Sequence, residues 1–555
     1  MDPFRVTMTL FLAWGVPAMT ASPQGHVPSS PIFGDAHQDK FGRTIVSLGD
    51  LDGDGRDEVA VGAPQTDLAG NDSGAVIVVA GIDLSTRLGR VDGVVDDHFG
   101  TSIAAVGDID GDLIPDFVVG APGHDGAGGA NQGRIDLISG ATLSVLTSYT
   151  VDEIGIELGQ SLAPVGDRDG DGLVDVLVGA PLARAAVTEG GAAFLLRLTA
   201  SAITLLHRFD GNVPFEALGS TMVSVPDSNG DGWDELAIGS PEYDGAGLAQ
   251  GRVQLFSGDS GLSYPFLLSI DGTSDFEYLG SALDVIEDPD TSGAPCMVIT
   301  WRGKMNSSFQ PFAGGCGIYR ATDGVLLRDY EGDAPSQFLG TSVATVQDLD
   351  GDGRRDILIG SYLDSSQGPI NHGTVHALSS FGDGAPGGLM SRLYRINGKR
   401  SRDRLGYAIA AVSDLNGDSL EDFALGADQQ DDGNGNETGS VHALLSRIPR
   451  VETDQSQYVD GDTVFASGTS YAGQPSLFYF SLSLRQSGGS APIHGWTWLT
   501  SWQMADSDGF TSHSFGLNTT GSIPLEITCW AITDHPAAAR GGRFLISNPT
   551  RFDVN

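Results

Sequence analysis

Acidic residues recur at alternate positions in short glycine-containing loops along the chain. In one loop, Asp167, Asp169, Asp171 and Asp175 occupy positions 1, 3, 5 and 9. Alternate side chains of a tight turn point inward, a glycine at position 6 permits the bend, and the carbonyl at position 7 can join them. Calcium takes six to eight oxygen ligands at about 2.3–2.6 Å, whereas magnesium requires stricter octahedral geometry. The pattern therefore predicts calcium binding.

Six loops share this pattern in the same register. The third and sixth are complete; the first and fourth have glutamate at position 9, and the second and seventh have Leu113 and Ser419 instead of the position 6 glycine. We expect up to six calcium ions, bound most strongly in loops three and six. The predicted ligands are Asp50, Asp52, Asp54 and Glu58; Asp108, Asp110, Asp112 and Asp116; Asp167, Asp169, Asp171 and Asp175; Asp227, Asn229, Asp231 and Glu235; Asp348, Asp350, Asp352 and Asp356; and Asp414, Asn416, Asp418 and Asp422.

Two alternatives to this interpretation are weaker. An EF-hand requires a bidentate glutamate at position 12 between two helices, but position 12 is apolar here, as at Val61 and Val178. Metal-free Asp-Gly turns would explain one such loop but not six in identical register. A fifth loop retains Asp288 and Asp290 but has Ser292 and Cys296 at positions 5 and 9. We predict no calcium in that loop.

The loops belong to seven repeats of about 60 residues, which determine the predicted architecture. Each repeat contains a short apolar run, the acidic loop, a β-branched run and two further runs, which predicts a four-stranded antiparallel blade. One blade exposes both faces, so blades must stack. Seven blades arranged radially form a β-propeller. The first glycine of each copy is Gly42, Gly100, Gly159, Gly219, Gly280, Gly340 or Gly406.

The ends of the propeller also follow from the repeat. The spacing from Gly34 to Gly42 equals that from Gly332 to Gly340, where a fourth strand precedes the first glycine. Residues 27–33 are therefore expected to form a fourth strand without a blade of their own. They would complete the seventh blade and close the ring, giving a propeller over residues 27–448.

The repeats resemble a known family. FGRTIVSLGDLDGDGRDEVAVGAP from Phe41, with its FG start, D-x-D-G-D-G loop and GAP turn, is similar to the FG-GAP repeats of the integrin α-subunit β-propeller. The resemblance implies calcium on one rim and, on the opposite rim, loops that in integrins bind ligands and a partner subunit. Integrins have about three or four metal loops where this chain has six. Without recognisable leg domains, a membrane span or a cytoplasmic tail, an integrin receptor is not implied.

Segments outside the repeats have different patterns. Residues 1–21 combine Arg5, an apolar stretch and small residues, which predicts a secretory signal peptide. Residues 449–555 contain alternating apolar runs, which predict a small β-sandwich. Trp496, Trp498 and Trp502 share one strand face there and could stack on sugar rings, although a sandwich core explains them more simply. The expected fold class is all-β, a seven-bladed propeller followed by a sandwich.

Composition excludes several functions. With 30 basic against 72 acidic residues the formal net charge is −42, so we expect no binding to nucleic acid or to an anionic membrane. No stretch reaches the roughly 18 apolar residues that a membrane span requires. Cys296 and Cys316 are expected at opposite ends of neighbouring strands, too far apart for a disulfide.

Three functions remain open. The first is a secreted, extracellular or cell-surface, monomeric module for adhesion or for binding a protein or polysaccharide ligand. Non-enzymatic function is favoured because the sequence has no G-x-S-x-G, H-E-x-x-H or phosphate-loop motif. The alternatives are an extracellular polysaccharide-degrading enzyme and a structural component of a surface layer. The least acidic loop, from Arg302 to Gly315, could contact a ligand or could reflect drift of the fifth blade.

Overall fold

The computed structural model of the chain is all-β in the part that it describes. The described residues are 31–81, 84, 86–127, 129–184, 187–258, 263–290, 294–350, 352–366, 368–381, 389–415, 421–433 and 435–446, together with the backbone of the strands Arg5–Val6, His26–Pro28, Val451–Thr453, Thr463–Tyr471, Ser476–Leu484, Leu499–Ser501, Phe510–Asn518 and Leu525–Thr533.

Seven antiparallel sheets, one from each repeat, confirm the predicted seven-bladed propeller. The first strand of each blade contacts the first strand of the next, and the seventh blade contacts the first, so the ring is closed. These first strands are Thr44–Gly49, Ser102–Gly107, Ser161–Pro164, Thr221–Val225, Leu279–Glu287, Ser342–Val346 and Leu405–Val412.

The second and third strands form the middle of each blade. The second strands are almost entirely buried because both of their faces pack against neighbouring blades. They are Glu58–Ala63, Asp116–Ala121, Val176–Ala180, Glu235–Ser240, Pro295–Trp301, Asp356–Ser361 and Asp422–Ala427. The third strands are Ala75–Val79, Arg134–Ile138, Ala192–Thr199, Arg252–Phe256, Gly315–Arg320, Thr374–Ser379 and Ser440–Ser446.

The fourth strands form the outer edge of the propeller. In blades one to six they are Arg87–Asp92, Val145–Tyr149, Ala202–Asp210, Phe266–Asp271, Leu326–Glu331 and Ser391–Asn397. In the seventh blade, His26–Pro28 and Ile32–Phe33 both pair antiparallel with Ser440–Ser446. An N-terminal segment thus occupies the edge position of the last blade. The domain boundaries at residues 27, 448 and 449 remain predictions.

Hydrophobic clusters lie between successive blades. At the junction of blades two and three, for example, Val118 and Ile135 pack with Val178 and Phe194. At the junction that closes the ring, Phe41 and Ile77 lie in one cluster with Ala424. Because each blade is apolar on both faces, it becomes stable only between two neighbours.

Close contacts between blades explain two glycines of the repeat motif. Gly100 has a φ of +88°, a conformation that glycine adopts without steric cost. A Cβ atom on Gly62 would collide with the carbonyl oxygen of Gly100 in the next blade. Gly426 has the same relation to Gly42, so the contact repeats where the ring closes. Any side chain at these positions would force neighbouring blades apart.

The four strands of each blade are antiparallel and follow one another along the chain, so two kinds of loop lie on opposite rims. Loops from first to second strands, which carry the acidic residues, lie on one rim, here called the acidic rim. Loops from second to third strands, and from each fourth strand to the next blade, lie on the opposite rim. The candidate metal sites and the blade-to-blade connections therefore lie on opposite rims of the propeller.

Strands beyond the propeller form two further sheets. One pairs Val451–Thr453, Thr463–Tyr471, Phe510–Asn518 and Leu499–Ser501; the other pairs Arg5–Val6, Ser476–Leu484 and Leu525–Thr533. The β-sandwich remains a prediction. The residues proposed to stack on sugar, Trp496, Trp498 and Trp502, and most of the predicted signal peptide lie outside the described residues. No helix in the described part of the chain is long and apolar enough to cross a membrane.

Candidate metal sites on the acidic rim

Backbone N–H groups hold the third acidic loop in a tight turn. Asp167 accepts hydrogen bonds from Gly170 at 2.7 Å and, on its other oxygen, from Gly172 at 2.8 Å. The Oδ1 atom of Asp169 accepts from the N–H of Asp171 at 3.2 Å. The Oδ1 atom of Asp171 accepts from Leu173 at 2.9 Å. The Oδ2 atoms of Asp169 and Asp171 receive none of these backbone hydrogen bonds and lie 3.4 and 2.8 Å from Nε of Arg197.

The position 9 acid of this loop, Asp175, immediately precedes the second strand. Asp175 is fully buried, and its Oδ2 atom accepts from the N–H of Arg168 at 2.7 Å. Its Oδ1 atom is buried without a hydrogen-bond partner among the described residues. Oε1 of Glu235 in the fourth loop is buried and unpartnered in the same way. Buried charge without a partner is costly, so these atoms fit a bound cation.

The other loops repeat this geometry. Each position 9 acid accepts a hydrogen bond from the N–H at position 2 of its own loop, at 2.6–2.9 Å. Among the described residues, the second oxygen of that acid also accepts a backbone N–H from the segment after the third strand in three loops. Those donors are Gly81, Gly140 and Ser380.

Four loops bring three carboxylates close enough to share one ion. In each, one oxygen from positions 1, 3 and 9 lies within 4.8 Å of the others. The clusters are Asp50, Asp52 and Glu58; Asp108, Asp110 and Asp116; Asp167, Asp169 and Asp175; and Asp348, Asp350 and Asp356. Position 5 is outside these clusters among the described residues. The fourth loop, with Asn229 at position 3, keeps the same backbone pattern through Asp227 and Glu235.

Burial and mutual repulsion oppose ionisation of these acids. Burial, with Asp169, Asp171 and Asp167 adding repulsion, raises the pKa of Asp175 to about 7. Burial and the neighbouring Asp350 raise the pKa of Asp352 to about 6. The pKa of Asp356 lies well above its usual range for the same reasons. A cation at these sites would reverse the penalty.

The second loop keeps its shape without the position 6 glycine. Leu113 adopts a φ of +74° and donates its N–H to Asp108 at 2.9 Å, as glycine does elsewhere. The leucine side chain is 89% exposed. A left-handed conformation costs a non-glycine residue about 1–2 kcal/mol. Leu113 therefore forms the same turn as glycine, but with a strained backbone.

Three loops are described only in part, and in the sixth loop residue 351 lies outside the described residues. In the seventh, Asp414 and Asp422 are described, while Asn416 and Asp418 lie outside the described residues. In the fifth, residue 292 lies outside them, and Cys296 is a buried free thiol. Cys316, also free, pairs in register with Thr300 rather than Cys296.

Comparison with known proteins identifies the repeats. A family model for the FG-GAP repeat matches residues 41–79, 99–138, 339–372 and 405–444. These units are FG-GAP repeats. The matched residues cover the first strand, the acidic loop and the second strand of blades one, two, six and seven. In blades one, two and seven they also reach the third strand.

The chain is also similar to integrin α subunits. The chain is 30% identical to integrin alpha-5 of Xenopus laevis over 172 residues, which are 30% of this chain and 16% of the integrin. It is 32% identical to human integrin alpha-8 over 171 residues, covering 30% and 15%. It is 33% identical to integrin alpha-PS2 of Drosophila melanogaster over 172 residues, covering 29% and 12%. The matches thus span about a sixth or less of each integrin.

Buried carboxylates on the opposite rim of the FG-GAP propeller were not expected from the sequence. They occur two residues before the FG pair and accept backbone N–H groups from the preceding loop, as Asp403 does from Lys399 and Arg400. The equivalents include Asp39, Asp97, Glu216 and Glu277. Their fixed distance from FG was the available signal. They stabilise loops and make no metal cluster among the described residues.

Apolar side chains are exposed on the opposite rim. Phe309 is 81% exposed in the Arg302–Gly315 loop of blade five, and Phe312 stacks on Phe338 with ring centroids 5.3 Å apart. Other exposed apolar residues on this rim are Leu68, Val94, Val95, Ile154, Phe215, Leu248, Phe276, Met305 and Ile370.

Proposed function

We propose that this FG-GAP protein is a secreted, calcium-stabilised propeller that acts as an adhesion or ligand-binding module. The observation that carries the proposal is the separation of the two rims. Carboxylate clusters occur on one rim, and exposed apolar side chains occur on the other. The acidic rim is thus assigned to calcium binding and stabilisation of the fold, and the opposite rim to ligand binding.

Calcium is the ion that the donor set fits best. Hard carboxylate oxygens at positions 1, 3 and 9, joined by the carbonyl at position 7, match its preference for six to eight oxygen ligands. Up to six sites are proposed, with the fourth and seventh loops using Asn229 and Asn416 at position 3. A bound calcium ion supplies positive charge that offsets the buried acid and fixes the loop. The chain's own residues shape the turn through backbone N–H groups before any ion arrives.

The opposite rim is the proposed ligand surface. Loops there connect rigid blades, so a ligand meets side chains that are held in fixed positions with little entropy to lose. Phe309, Phe276 and Ile370 are prominent exposed contacts. The similarity to integrin α subunits favours an extracellular protein as ligand, and a polysaccharide is the second class to test.

Retention on immobilised ligands tests the proposal. The purified protein is passed over matrix proteins and polysaccharides, first in calcium and then in a chelator. We expect calcium-dependent retention by one class of ligand. Phe309→Ala should reduce that retention, whereas Phe266→Ala, an exposed aromatic on the outer edge of blade four, is the matched control and should not. Failure to bind any ligand while folded in calcium would contradict a binding module.

A further inference from the structure

One position at the end of the third strand can be aligned across the seven blades by the strand register. It is the residue opposite position 9 in the strand register, as shown by the pairing of Val176 with Leu196 in blade three and of Cys296 with Arg320 in blade five. From blade one to blade seven this position holds Ala80, Ser139, Arg197, Ser257, Arg320, Ser379 and Leu445. Arginine therefore occurs only in blades three and five.

Arg197 contacts two acids of the blade three loop, and one of them, Asp169, belongs to the carboxylate cluster. Its Nε atom lies 2.8 Å from Oδ2 of Asp171 and 3.4 Å from Oδ2 of Asp169. The Oδ1 atoms of both aspartates already accept backbone N–H groups. The guanidinium thus occupies the free side of the loop. Its side chain is 40% exposed, so it can also turn away into solvent.

Blade four shows the arrangement without an arginine. There the hydroxyl of Ser257 donates to Oδ2 of Asp231 at 2.7 Å. A neutral hydroxyl orients the carboxylate but brings no net charge to the loop. The same strand position therefore supports the acids in one blade and neutralises them in another.

In blade five, arginines contact both of the acids that the loop retains. Nε of Arg320 lies 3.7 Å from Oδ2 of Asp288, and the buried Arg328 contacts Oδ1 of Asp290 at 2.5 Å. Each of the two acids that this loop retains thus has an arginine. Position 9, which is a buried acid in the other six loops, is Cys296 here.

We infer that a built-in guanidinium replaces the metal ion in blade five and competes with it in blade three. This inference rests on the proposed calcium binding and revises one expectation from the sequence: the third loop, although complete, is a weakened site. A divalent ion must displace Arg197 from Asp169 and Asp171 before it can use their oxygens. Like charges within a few ångströms repel strongly even near a protein surface, so the effect on affinity should be large.

Calcium titration of the full-length, chelator-treated protein tests the competition. Arg197→Ser introduces the residue found at this position in blades two, four and six. We expect one site to bind calcium about tenfold more tightly with the number of sites unchanged. Arg184→Ser, an exposed arginine paired with Glu189 on the opposite rim, is the matched control and should leave all affinities unchanged.

The reciprocal variant provides a second test. Ser257→Arg places a guanidinium at the same position of blade four and should weaken one site about tenfold. Melting temperatures add a readout independent of the titration: Arg197→Ser should lower the melting temperature in chelator, where the acids lose their counter-charge, but not in excess calcium.

The outcomes separate this inference from the proposed function. If the wild-type protein binds no calcium, the proposed metal sites fail and this inference fails with them. If the wild type binds calcium and both variants leave the affinities unchanged, only the competition is overturned. A weaker site in Arg197→Ser would also overturn it, because it would show that the arginine supports the ligands.

Discussion

The backbone N–H of Arg168 donates to Oδ2 of Asp175 at 2.7 Å, while Oδ1 of the same carboxylate is buried with no hydrogen-bond partner among the described residues. A half-satisfied carboxylate of this kind destabilises the fold when it is ionised. Folding and cation binding should therefore be coupled in the acidic loops.

Asp175→Asn tests that coupling. The amide keeps the size of the side chain but removes the buried charge, so the variant should be at least as stable as wild type in chelator. In calcium it should be less stable, by about 2.7 kcal/mol when calcium is at 100 times the dissociation constant of that site. Denaturant unfolding in both conditions measures the two differences.

The matched control is Asp403→Asn, which changes a buried carboxylate on the opposite rim. Asp403 accepts two backbone N–H groups on one oxygen, and an asparagine carbonyl can keep both, so any change in stability should be the same with and without calcium. A calcium-independent effect of Asp175→Asn would count against a metal role for that residue.

Stability of the chelated protein should depend on pH through Asp175. Its pKa is raised to about 7 in the folded state by burial, against about 3.9 in the unfolded chain. Between these values the folded state binds more protons, so acidification from pH 7 towards pH 4 relieves the penalty, by about 1.4 kcal/mol per pH unit at most. The difference in unfolding free energy between wild type and Asp175→Asn isolates this contribution.

Two histidines, the buried His376 and the half-buried His442, act in the opposite direction. Burial lowers the pKa of His376 to about 3 and that of His442 to about 4. The unfolded chain therefore binds more protons below pH 6.5, and this stability is lost as the pH falls. The variant comparison cancels their contribution. A wild-type-minus-variant difference that is flat between pH 7 and pH 4 would contradict the raised pKa of Asp175.

Leu113→Gly should relieve strain in the second loop. Leucine at a φ of +74° is strained, and glycine removes that cost although it adds flexibility to the unfolded chain. We expect a net gain of about 0.5–1 kcal/mol in chelator, measured by denaturant unfolding. Gly172→Leu, the reverse change in the third loop, should destabilise by a similar amount. A loss of stability in Leu113→Gly would show that the exposed leucine makes a favourable contact.

Gly426→Ala tests the closure of the ring. A methyl group there would collide with the carbonyl oxygen of Gly42 across the junction of the seventh and first blades. We expect a loss of about 3 kcal/mol from overpacking. Gly155→Ala is the control: its φ is +67° but nothing lies within 4 Å of the added carbon, so only about 1 kcal/mol should be lost. Equal losses of stability in the two variants would mean that the junction between blades seven and one accommodates the methyl group without overpacking.

Local patterns made the blades predictable. The strands, the turn at Gly42 and the acidic register all follow from residues close together in sequence, and the seven-bladed propeller is confirmed. The ligand roles of Asp175 and its equivalents stay predictions, as do the domain boundaries and the β-sandwich.

Contacts across hairpins were harder to foresee. Arg197 lies 26 residues beyond Asp171 in sequence, and only the strand register brings them together. Counting from the glycine that precedes each third strand would have aligned Arg197 with Ser257 and Arg320. The role of Asp403 was missed because its partners are backbone groups, and its fixed distance from the FG position was the one signal that could have indicated it.

Thermal unfolding of the purified full-length protein, in excess calcium and in chelator, tests the central claim most directly. The account predicts a markedly higher melting temperature in calcium, with no comparable gain in magnesium, whose octahedral geometry suits these loops less well. Equal melting temperatures in calcium and chelator would contradict the claim that the acidic rim is a set of structural calcium sites.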